Sequence, residues 1–319
     1  MSDTAYPSVN DLTLEEKASL TSGGDAWHLQ GVETKGIPGY MITDGPHGLR
    51  KSLASSTGET DLNDSVPATC FPTASAVANS WDAALGEEIG AALGEEAAAQ
   101  EVAVLLGPGL NTKRSPLCGR NFEYFSEDPY LSGKMAASYV RGIQSNGISA
   151  CPKHFAVNSQ ELRRMASDSV VDERTLRELY LTGFEIVVKE AKPKTIMTSY
   201  NLINGVHAAN CYDTCTKAAR DEWGFAGAIM TDWTTTNVQI QGECTAAGCM
   251  RAGNDMVMPG LPEDHENIKK ELADGTLTMA ELKRCIYNTV NIVLQSNMYE
   301  GAVSYLDQFD DLDTYLVVK

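Results

Sequence analysis

Short apolar runs alternate with longer amphipathic segments along this chain. An apolar run that ends in glycine, proline or a charged residue predicts a strand, and apolar residues that recur every three or four positions predict a helix. The predicted strands are 40–44, 102–109, 148–155, 194–200, 227–233 and 255–260. The predicted helices are 81–100, 128–147, 172–190, 215–224, 244–253, 264–273 and 279–296. Regular alternation of strands and helices favours a parallel sheet covered by helices.

Polar residues stand at the ends of several predicted strands. These residues are Asp44, Lys153, His154, Tyr200, Asp232 and Trp233. In a closed barrel the carboxyl ends of the strands converge on one face, whereas in an open sheet they are spread along an edge. No Gly-x-Gly-x-x-Gly motif follows a strand, which argues against a doubly wound sheet. We therefore predict the α/β class and a (β/α)8 TIM-type barrel, with room for irregularity in its first units.

The acidic composition narrows the choice of partners. The 319 residues include 43 acidic and 25 basic side chains, for a formal net charge of −18. Nucleic acids and anionic membrane surfaces carry the same sign, so a small neutral ligand is expected. No apolar run reaches the roughly 18 residues of a membrane span, and the polar start "MSDTAYPSVNDLTLEEK" lacks the regions of a secretory signal. We expect a cytoplasmic protein.

The cysteine pattern predicts neither a disulfide framework nor a metal site. The eight cysteines stand at positions 70, 118, 151, 211, 215, 244, 249 and 285. They form no Cys-x-x-Cys pair and have no histidine at zinc-finger spacing. Several lie in apolar company, which is typical of buried free thiols in a reducing compartment. No metal and no cofactor is predicted.

Two strand ends allow more than one interpretation. Asp232 in "GAIMTDW" is either the cap of a helix that follows Trp233 or a carboxylate held for chemistry. A lysine on a buried strand is costly unless it is paired, so Lys153 is a substrate-binding residue, a member of a satisfied core ion pair, or a Schiff-base lysine. The sequence around either residue leaves these alternatives open.

Two loops add candidate binding groups. The glycine-rich turn "TDGPHGLRK" offers Asp44, His47 and Arg50, which either form a tight turn or grip ligand hydroxyls. The irregular segment "RSPLCGRNFEYFSEDP" carries two arginines, two glutamates and three aromatic rings, so we expect it to pack over another surface.

Taken in order, these motifs resemble a known family. The series "LTLEEKASLTSG", "TDGPHGLR", "GRNFEYFSEDP", "KHFAVN", "IMTSYN" and "MTDW" is similar to the N-terminal barrel of glycoside hydrolase family 3. This family contains retaining β-glucosidases, β-xylosidases and N-acetyl-β-glucosaminidases, and the resemblance is greatest to bacterial two-domain β-glucosidases. It implies a barrel domain over residues 1–297 and an acidic tail or linker remnant over 298–319.

The resemblance also implies roles for individual residues. Asp232 would be the nucleophile that attacks a non-reducing terminal β-D-glucosyl or β-xylosyl residue, and Trp233 would form a wall of the sugar site. The remaining substrate-binding residues would be Asp44, Arg50, Arg120, Lys153, His154, Met197 and Tyr200. Charged hydrogen-bonding groups and one aromatic surface suit a neutral sugar, which offers hydroxyls and a weakly apolar ring face.

The general acid is missing from this pattern. In two-domain relatives it is a glutamate of the domain after the barrel, which we expect to be absent here. Single-domain N-acetylglucosaminidases use an Asp-His pair, but the corresponding loop "AVNSQELRRMASDSVVDE" holds Asp168 and no histidine. The alternatives are therefore a catalytically weak sugar-binding barrel or a lyase that uses Lys153. An apolar face left bare beside the site would be covered by a complementary second domain or a second copy.

Overall fold

The computed structural model describes residues 9–52, 65–237 and 243–296. The strands are β1 (His28–Leu29), β2 (Tyr40–Asp44), β3 (Val104–Leu106), β4 (Ser149–Ala150), β5 (Asp168–Ser169), β6 (Thr195–Met197), β7 (Leu202–Ile203), β8 (Val206–His207) and β9 (Ala228–Met230). The helices are α1 (Leu14–Ser19), α2 (Ala74–Ala78), α3 (Ala83–Ala99), α4 (Pro129–Gln144), α5 (Glu173–Thr175), α6 (Thr182–Ala191), α7 (Ala246–Ala252), α8 (Pro262–Asp274) and α9 (Met279–Leu294). Two π-helical segments, Leu176–Leu181 and Asp213–Glu222, and three short 3₁₀ turns, Val9–Asp11, Glu33–Lys35 and Ala208–Asn210, complete the described elements.

The central strands form parallel ladders that are short but continuous around the core. β2 pairs with β3, β3 with β4, and β6 with β9, all in parallel. Isolated bridges extend these ladders into a ring: Gly109–Lys153, Phe155–Thr198, Met230–Met256, Ser22–Val257 and Gly23–Leu29. Because the last two bridges return to the start of the chain, the sheet closes on itself, as the predicted (β/α)8 barrel requires.

The first unit of the barrel is irregular. β1 pairs with β2 in the antiparallel direction, with His28 opposite Met41 and Leu29 opposite Tyr40. The antiparallel hairpin β7–β8 lies outside the ring and pairs with β5. The prediction of a barrel that is irregular near its start is therefore confirmed.

The predicted helices match the observed ones with small shifts at their ends, except that the helix predicted over 172–190 is divided into α5, the π-helical segment Leu176–Leu181 and α6. Apart from β2, the observed strands are shorter than predicted, and the strand predicted over 255–260 forms only isolated bridges at Met256 and Val257. β2 occupies residues 40–44 as predicted, and the helix predicted over 81–100 begins after the N-cap Asp82, whose carboxylate accepts from Ala84 and Leu85 N–H groups. The helix predicted over 215–224 is the π-helical segment Asp213–Glu222, which begins two residues earlier. The predicted tail 298–319 lies outside the described residues, so the proposed domain boundary stays a prediction.

The barrel strands are buried completely, and helices pack against them. Ile42, Val104, Ala150, Ile196 and Ile229, one from each of five parallel strands, have no solvent-accessible surface. None of the helices in the described ranges has both the length and the apolar character that a membrane span requires. All eight cysteines are free, and six of them are buried, which agrees with the interpretation as unpaired thiols.

Candidate active site

A buried ion pair joins the ends of two barrel strands. Lys153 follows β4 and is 3% exposed, and its Nζ donates to Asp44 Oδ1, at the end of β2, at 2.5 Å. The same Nζ lies 3.7 Å from Glu123 Oε1, and the second Asp44 oxygen accepts from Arg50 at 3.2 Å. Asp44 is thus held between two cations while about 30% of its side chain stays open to solvent.

Lys153 and Asp44 each stabilise the charged form of the other. Burial alone would lower the pKa of Lys153, but the carboxylates of Asp44 and Glu123 raise it above its ordinary value. Burial alone would raise the pKa of Asp44, but Lys153 and Arg50 bring it below its ordinary value. Lys153 is therefore a protonated ammonium at neutral pH. A Schiff-base lysine needs a depressed pKa and a free amine, so this environment disfavours the lyase alternative.

A second network surrounds His154, the neighbour of Lys153. Arg120 donates to Glu123 Oε2 at 2.6 Å and lies 3.1 Å from His154 Nε2. The other ring nitrogen, Nδ1, lies 3.1 Å from the hydroxyl of Tyr124. A guanidinium can only donate, so Nε2 is the acceptor and Nδ1 carries the hydrogen that is donated to Tyr124.

His154 is neutral in this network. Burial, together with the neighbouring charges of Arg120, Lys153 and Arg164, holds the pKa of His154 well below its ordinary value. Its Nε2 lies 3.8 Å from Asp232 Oδ2. Because the imidazole is neutral and that nitrogen carries a lone pair, this approach is not an ion pair, and the Asp232 carboxylate is not neutralised by His154.

Asp232 is a buried carboxylate at the end of a barrel strand. It follows β9 by two residues and is 8% exposed. Its Oδ1 accepts from the backbone N–H of Trp233 at 2.8 Å. Burial, together with the negative charge of Asp232, raises the pKa of the neighbouring Tyr200 hydroxyl. Burial raises the pKa of Asp232, although the Trp233 N–H and the charges of Lys153, Arg164 and Arg120 oppose the shift. Residues 233–237 form turns rather than a helix, so the described chain gives Asp232 no helix to cap.

Aromatic rings border the site on one side. Trp233 packs against Trp27 with ring centroids 5.4 Å apart, and its indole N–H donates to the carbonyl of Ala26 at 2.7 Å. The guanidinium of Arg50 lies 5.7 Å from the Trp27 ring. Met197, at the end of β6, is only 2% exposed, so it supports the floor of the site rather than lining it openly.

The structure brings the predicted residues together and adds others that the sequence analysis did not single out. Glu123, Tyr124, Asn158, Glu161 and Arg164 all contact predicted residues or each other. The guanidinium of Arg164 lies 4.7 Å from the Tyr200 ring and pairs with Glu161 at 3.0 Å. Glu123 and Tyr124 belong to the aromatic segment 114–129, whose composition was the only signal of a role.

No metal site accompanies these groups. Among the described residues no cluster of three or more histidine, cysteine or acidic side chains could hold an ion. The carboxylates of Asp44, Glu123 and Glu161 are bound by lysine and arginine side chains instead.

The raised pKa of Asp232 allows a test of the nucleophile role that the sequence resemblance implies. If Asp232 is the nucleophile, it works only when ionised, so kcat/KM should fall as pH drops through its pKa, with a midpoint above the ordinary value of 3.8. Arg164→Gln removes a cation that favours ionisation and should move this limb to higher pH, while Arg164→Lys should restore it. The measurement is kcat/KM for an activated aryl glycoside between pH 3 and 8.

The neighbouring Arg163 is exposed and provides a matched control. Arg163→Gln should leave the acid limb in place. An unchanged limb in Arg164→Gln would contradict the electrostatic link between Arg164 and Asp232.

The closed barrel carries a buried carboxylate and a ring of hydrogen-bonding charges at the carboxyl ends of its strands, which is where barrel enzymes have their active sites. The family described as "Glycosyl hydrolase family 3 N terminal domain" matches residues 48–291. The chain therefore belongs to glycosyl hydrolase family 3, a family of glycoside hydrolases.

Characterised relatives are longer than this chain. An exo-alpha-(1->6)-L-arabinopyranosidase of Bifidobacterium breve is 52% identical over 99% of this chain and 40% of its own length. A thermostable beta-glucosidase B of Acetivibrio thermocellus is 47% identical over 90% of this chain and 37% of its own length. The chain thus spans about two fifths of the length of these relatives.

Solved structures show the same barrel. A family 3 beta-glucosidase from Bifidobacterium adolescentis superposes with a TM-score of 0.82 and 46% identity, covering 97% of this chain and 43% of that one. Beta-glucosidase 3B from Thermotoga neapolitana in complex with glucose gives a TM-score of 0.83 at 36% identity, covering 97% of this chain and 45% of that one.

Proposed function

We propose that this chain is the catalytic barrel of a retaining β-glycosidase that removes the non-reducing terminal β-D-glucosyl or β-xylosyl residue of small glycosides. The observation that carries the proposal is Asp232, a buried carboxylate whose pKa is raised by burial and which faces a cluster of hydroxyl-binding groups. In this cluster Asp44 is partly open to solvent and accepts from Lys153 and Arg50.

In this proposal the Asp232 carboxylate attacks the anomeric carbon as the bond to the leaving oxygen breaks. The electron pair of that bond departs with the leaving group, which takes up a proton, and water later hydrolyses the glycosyl ester with retention. The Trp233 N–H holds the carboxylate by a hydrogen bond, and the Tyr200 hydroxyl lies near it. Neutral His154 can contact the sugar without neutralising the nucleophile.

The hydroxyl-binding role of the other residues follows from their chemistry. Asp44 accepts from vicinal hydroxyls, and the charged donors Arg50, Lys153 and Arg120 satisfy hydroxyl oxygens. Trp233 offers its face to the apolar side of the sugar ring. Met197 fills the space behind them.

The general acid is proposed to come from outside the described residues, in a complementary domain. Within those residues the two glutamates near the site are both occupied, since Glu123 contacts Arg120 and Lys153, and Glu161 contacts Arg164 and Asn158. Neither is free to protonate a leaving group. The relatives carry further sequence beyond the matched barrel, which is consistent with a second domain.

An exposed apolar surface favours such a complementary domain. Leu117 and Phe122, in the segment that carries Arg120, are 91% and 53% exposed, and Tyr130 at the start of α4 is 61% exposed. Leu117 and Phe122 lie five positions apart in one segment, and contiguous apolar surface of this kind marks interaction sites. The alternative function, a catalytically weak sugar-binding barrel that awaits a partner, rests on the same observation.

Leaving groups of different acidity separate these functions. Dinitrophenolate departs with little protonation, so 2,4-dinitrophenyl β-D-glucoside should be turned over by this chain alone. Cellobiose needs the general acid. This chain should therefore turn over cellobiose about 10²–10⁴-fold more slowly than a family enzyme that has its second domain. The measurement is kcat for both substrates in both proteins.

Two results would count against the proposal. Failure to release dinitrophenol would favour the sugar-binding alternative. Full activity on cellobiose would show that the acid resides on this chain. Parallel assays with β-D-xyloside and α-L-arabinopyranoside, the latter suggested by the name of the Bifidobacterium breve relative, would identify the sugar.

A further inference from the structure

A recessed cavity lies at the end of the barrel opposite Asp232. It is bordered by residues that precede β6 and β9, including Lys194 and Gly227, whereas Asp232 follows β9 at the other end. Its volume is about 510 Å³, and helix α9 closes one side. This space is large enough for a small organic molecule and is separate from the proposed sugar site.

Lysines give this cavity a positive charge that carboxylates of residues 9–52, 65–237 and 243–296 balance only in part. Lys189, Lys192 and Lys194 all line it, but only Lys189 pairs with a carboxylate, that of Glu185. Lys194 Nζ donates to the carbonyl of Gln295 at 2.8 Å, and burial lowers the pKa of Lys194 with no opposing carboxylate. On a chain of net charge −18, a partly buried lysine without an acidic partner among the described residues is unexpected.

Aromatic rings form the wall of the cavity. Trp223 and Phe225 are 7% and 5% exposed and line it together with Ile292. Trp223 packs edge-on against Phe155 at 5.9 Å, and the Arg220 guanidinium lies 5.5 Å from the Phe225 ring. Both rings are therefore held in place, so ligand binding would cause little further loss of side-chain entropy.

An unused hydrogen-bond acceptor completes the lining. Asn291, on α9, is 9% exposed, and its buried Oδ1 has no hydrogen-bond partner. The neighbouring Asn288 differs, since its amide donates to Asp255 Oδ1 at 2.9 Å. A buried amide oxygen without a partner costs free energy that a ligand O–H or N–H can recover.

We propose that this cavity binds a small hydroxyaryl carboxylate. Lys194 and Lys192 take the carboxylate, the rings of Trp223 and Phe225 contact the aromatic body, and the phenolic hydroxyl donates to Asn291 Oδ1. Each ligand group matches one feature of the lining. The carboxylate matches the lysine cations, the aromatic body matches the fixed apolar wall, and the phenolic hydroxyl matches the unsatisfied acceptor.

Calorimetric titration of the full chain with 4-hydroxybenzoate tests the proposal. Binding with a dissociation constant in the millimolar range or tighter is expected. 4-Hydroxybenzyl alcohol, which lacks the carboxylate, and inorganic phosphate, which lacks the aromatic body and its hydroxyl, should each bind at least about tenfold more weakly. Lys192→Gln and Lys194→Gln should each weaken binding of 4-hydroxybenzoate by a similar factor. Lys189→Gln, whose charge Glu185 already neutralises, is the matched control and should change it by less than about twofold.

Asn291→Ala tests the acceptor separately. In the unmodified chain 4-hydroxybenzoate should bind more tightly than benzoate, and Asn291→Ala should remove that preference while leaving the affinity for benzoate unchanged. Lys192 is exposed, so its substitution does not threaten the fold. Absence of 4-hydroxybenzoate binding, equal binding of phosphate, or binding insensitive to both Lys192→Gln and Lys194→Gln would overturn the proposal.

Discussion

Replacing Asp232 with asparagine is expected to lower kcat on 2,4-dinitrophenyl β-D-glucoside by roughly 10⁴-fold or more, the scale on which removal of a nucleophile acts in other hydrolases. The amide is nearly isosteric, so it keeps the acceptor oxygen for the Trp233 N–H. It cannot form the glycosyl ester. The free energy of unfolding should change little, because the neutral amide loses the attraction of Lys153, Arg164 and Arg120 but also avoids the cost of burying a charge.

A surface aspartate supplies the control for this substitution. Asp213 pairs with Lys217, and its side chain is 74% exposed. Asp213→Asn should leave both kcat and stability unchanged. If Asp232→Asn kept more than about a tenth of the activity, or if Asp213→Asn lost as much, Asp232 would not be the nucleophile.

Asp255→Leu is expected to lower the free energy of unfolding by about 3–5 kcal/mol, the usual cost of breaking a buried ion pair. Asp255 has no exposed surface and accepts from Arg220 at 2.5 Å, from the backbone N–H of Ile229 at 2.8 Å and from Asn288. Its loss leaves the Arg220 charge, which is only 14% exposed, without a carboxylate partner. Urea unfolding followed by circular dichroism measures the change.

Asp255→Leu should also affect the active site, because Asp255 is hydrogen-bonded to β9. Ile229 lies in this strand, three residues before Asp232, and its N–H bond to Asp255 fixes the strand that carries the proposed nucleophile. A double variant, Arg220→Met with Asp255→Leu, should be less destabilised than Asp255→Leu alone, because no unpaired charge remains. A loss below about 1 kcal/mol in Asp255→Leu would contradict the assigned role of this pair.

The barrel and its ring of polar strand ends could be predicted from the sequence because both depend on local patterns. Apolar runs such as "YMITD" and "GAIMTDW" give the strands, and in a parallel barrel their ends must meet on one face. Asp44, Lys153 and Asp232 were therefore found by position alone. The irregular first unit was anticipated only in general terms, since the antiparallel pairing of β1 with β2 depends on contacts between segments.

Contacts between distant segments could not be predicted in the same way. Glu123 sits in an irregular loop, and only the fold brings it within 3.7 Å of Lys153. Arg164 lies in a loop with no periodicity, yet it packs over Tyr200. The protonation of His154 likewise depends on Arg120, 34 positions away, and no local pattern encodes that distance.

Several residues other than glycine have a left-handed backbone, and one of them, Thr234, lies close to Asp232. Thr234 adopts a left-handed conformation with φ of 61°, and its N–H donates to the carbonyl of Met258 at 2.8 Å. This conformation is unfavourable for a β-branched residue. Thr234 lies two residues after Asp232. The strained turn at this position sets the direction of the backbone that follows the carboxylate.

Identification of the residue that becomes covalently glycosylated tests the central claim most directly. 2,4-Dinitrophenyl 2-deoxy-2-fluoro-β-D-glucoside carries a leaving group that needs no acid, and its fluorine slows hydrolysis of the intermediate. Peptide mapping by mass spectrometry after incubation should find the fluoroglucosyl group on Asp232 and no label in Asp232→Asn. A label on Asp44, Glu161 or any other carboxylate, with Asp232 unmodified, would contradict the account.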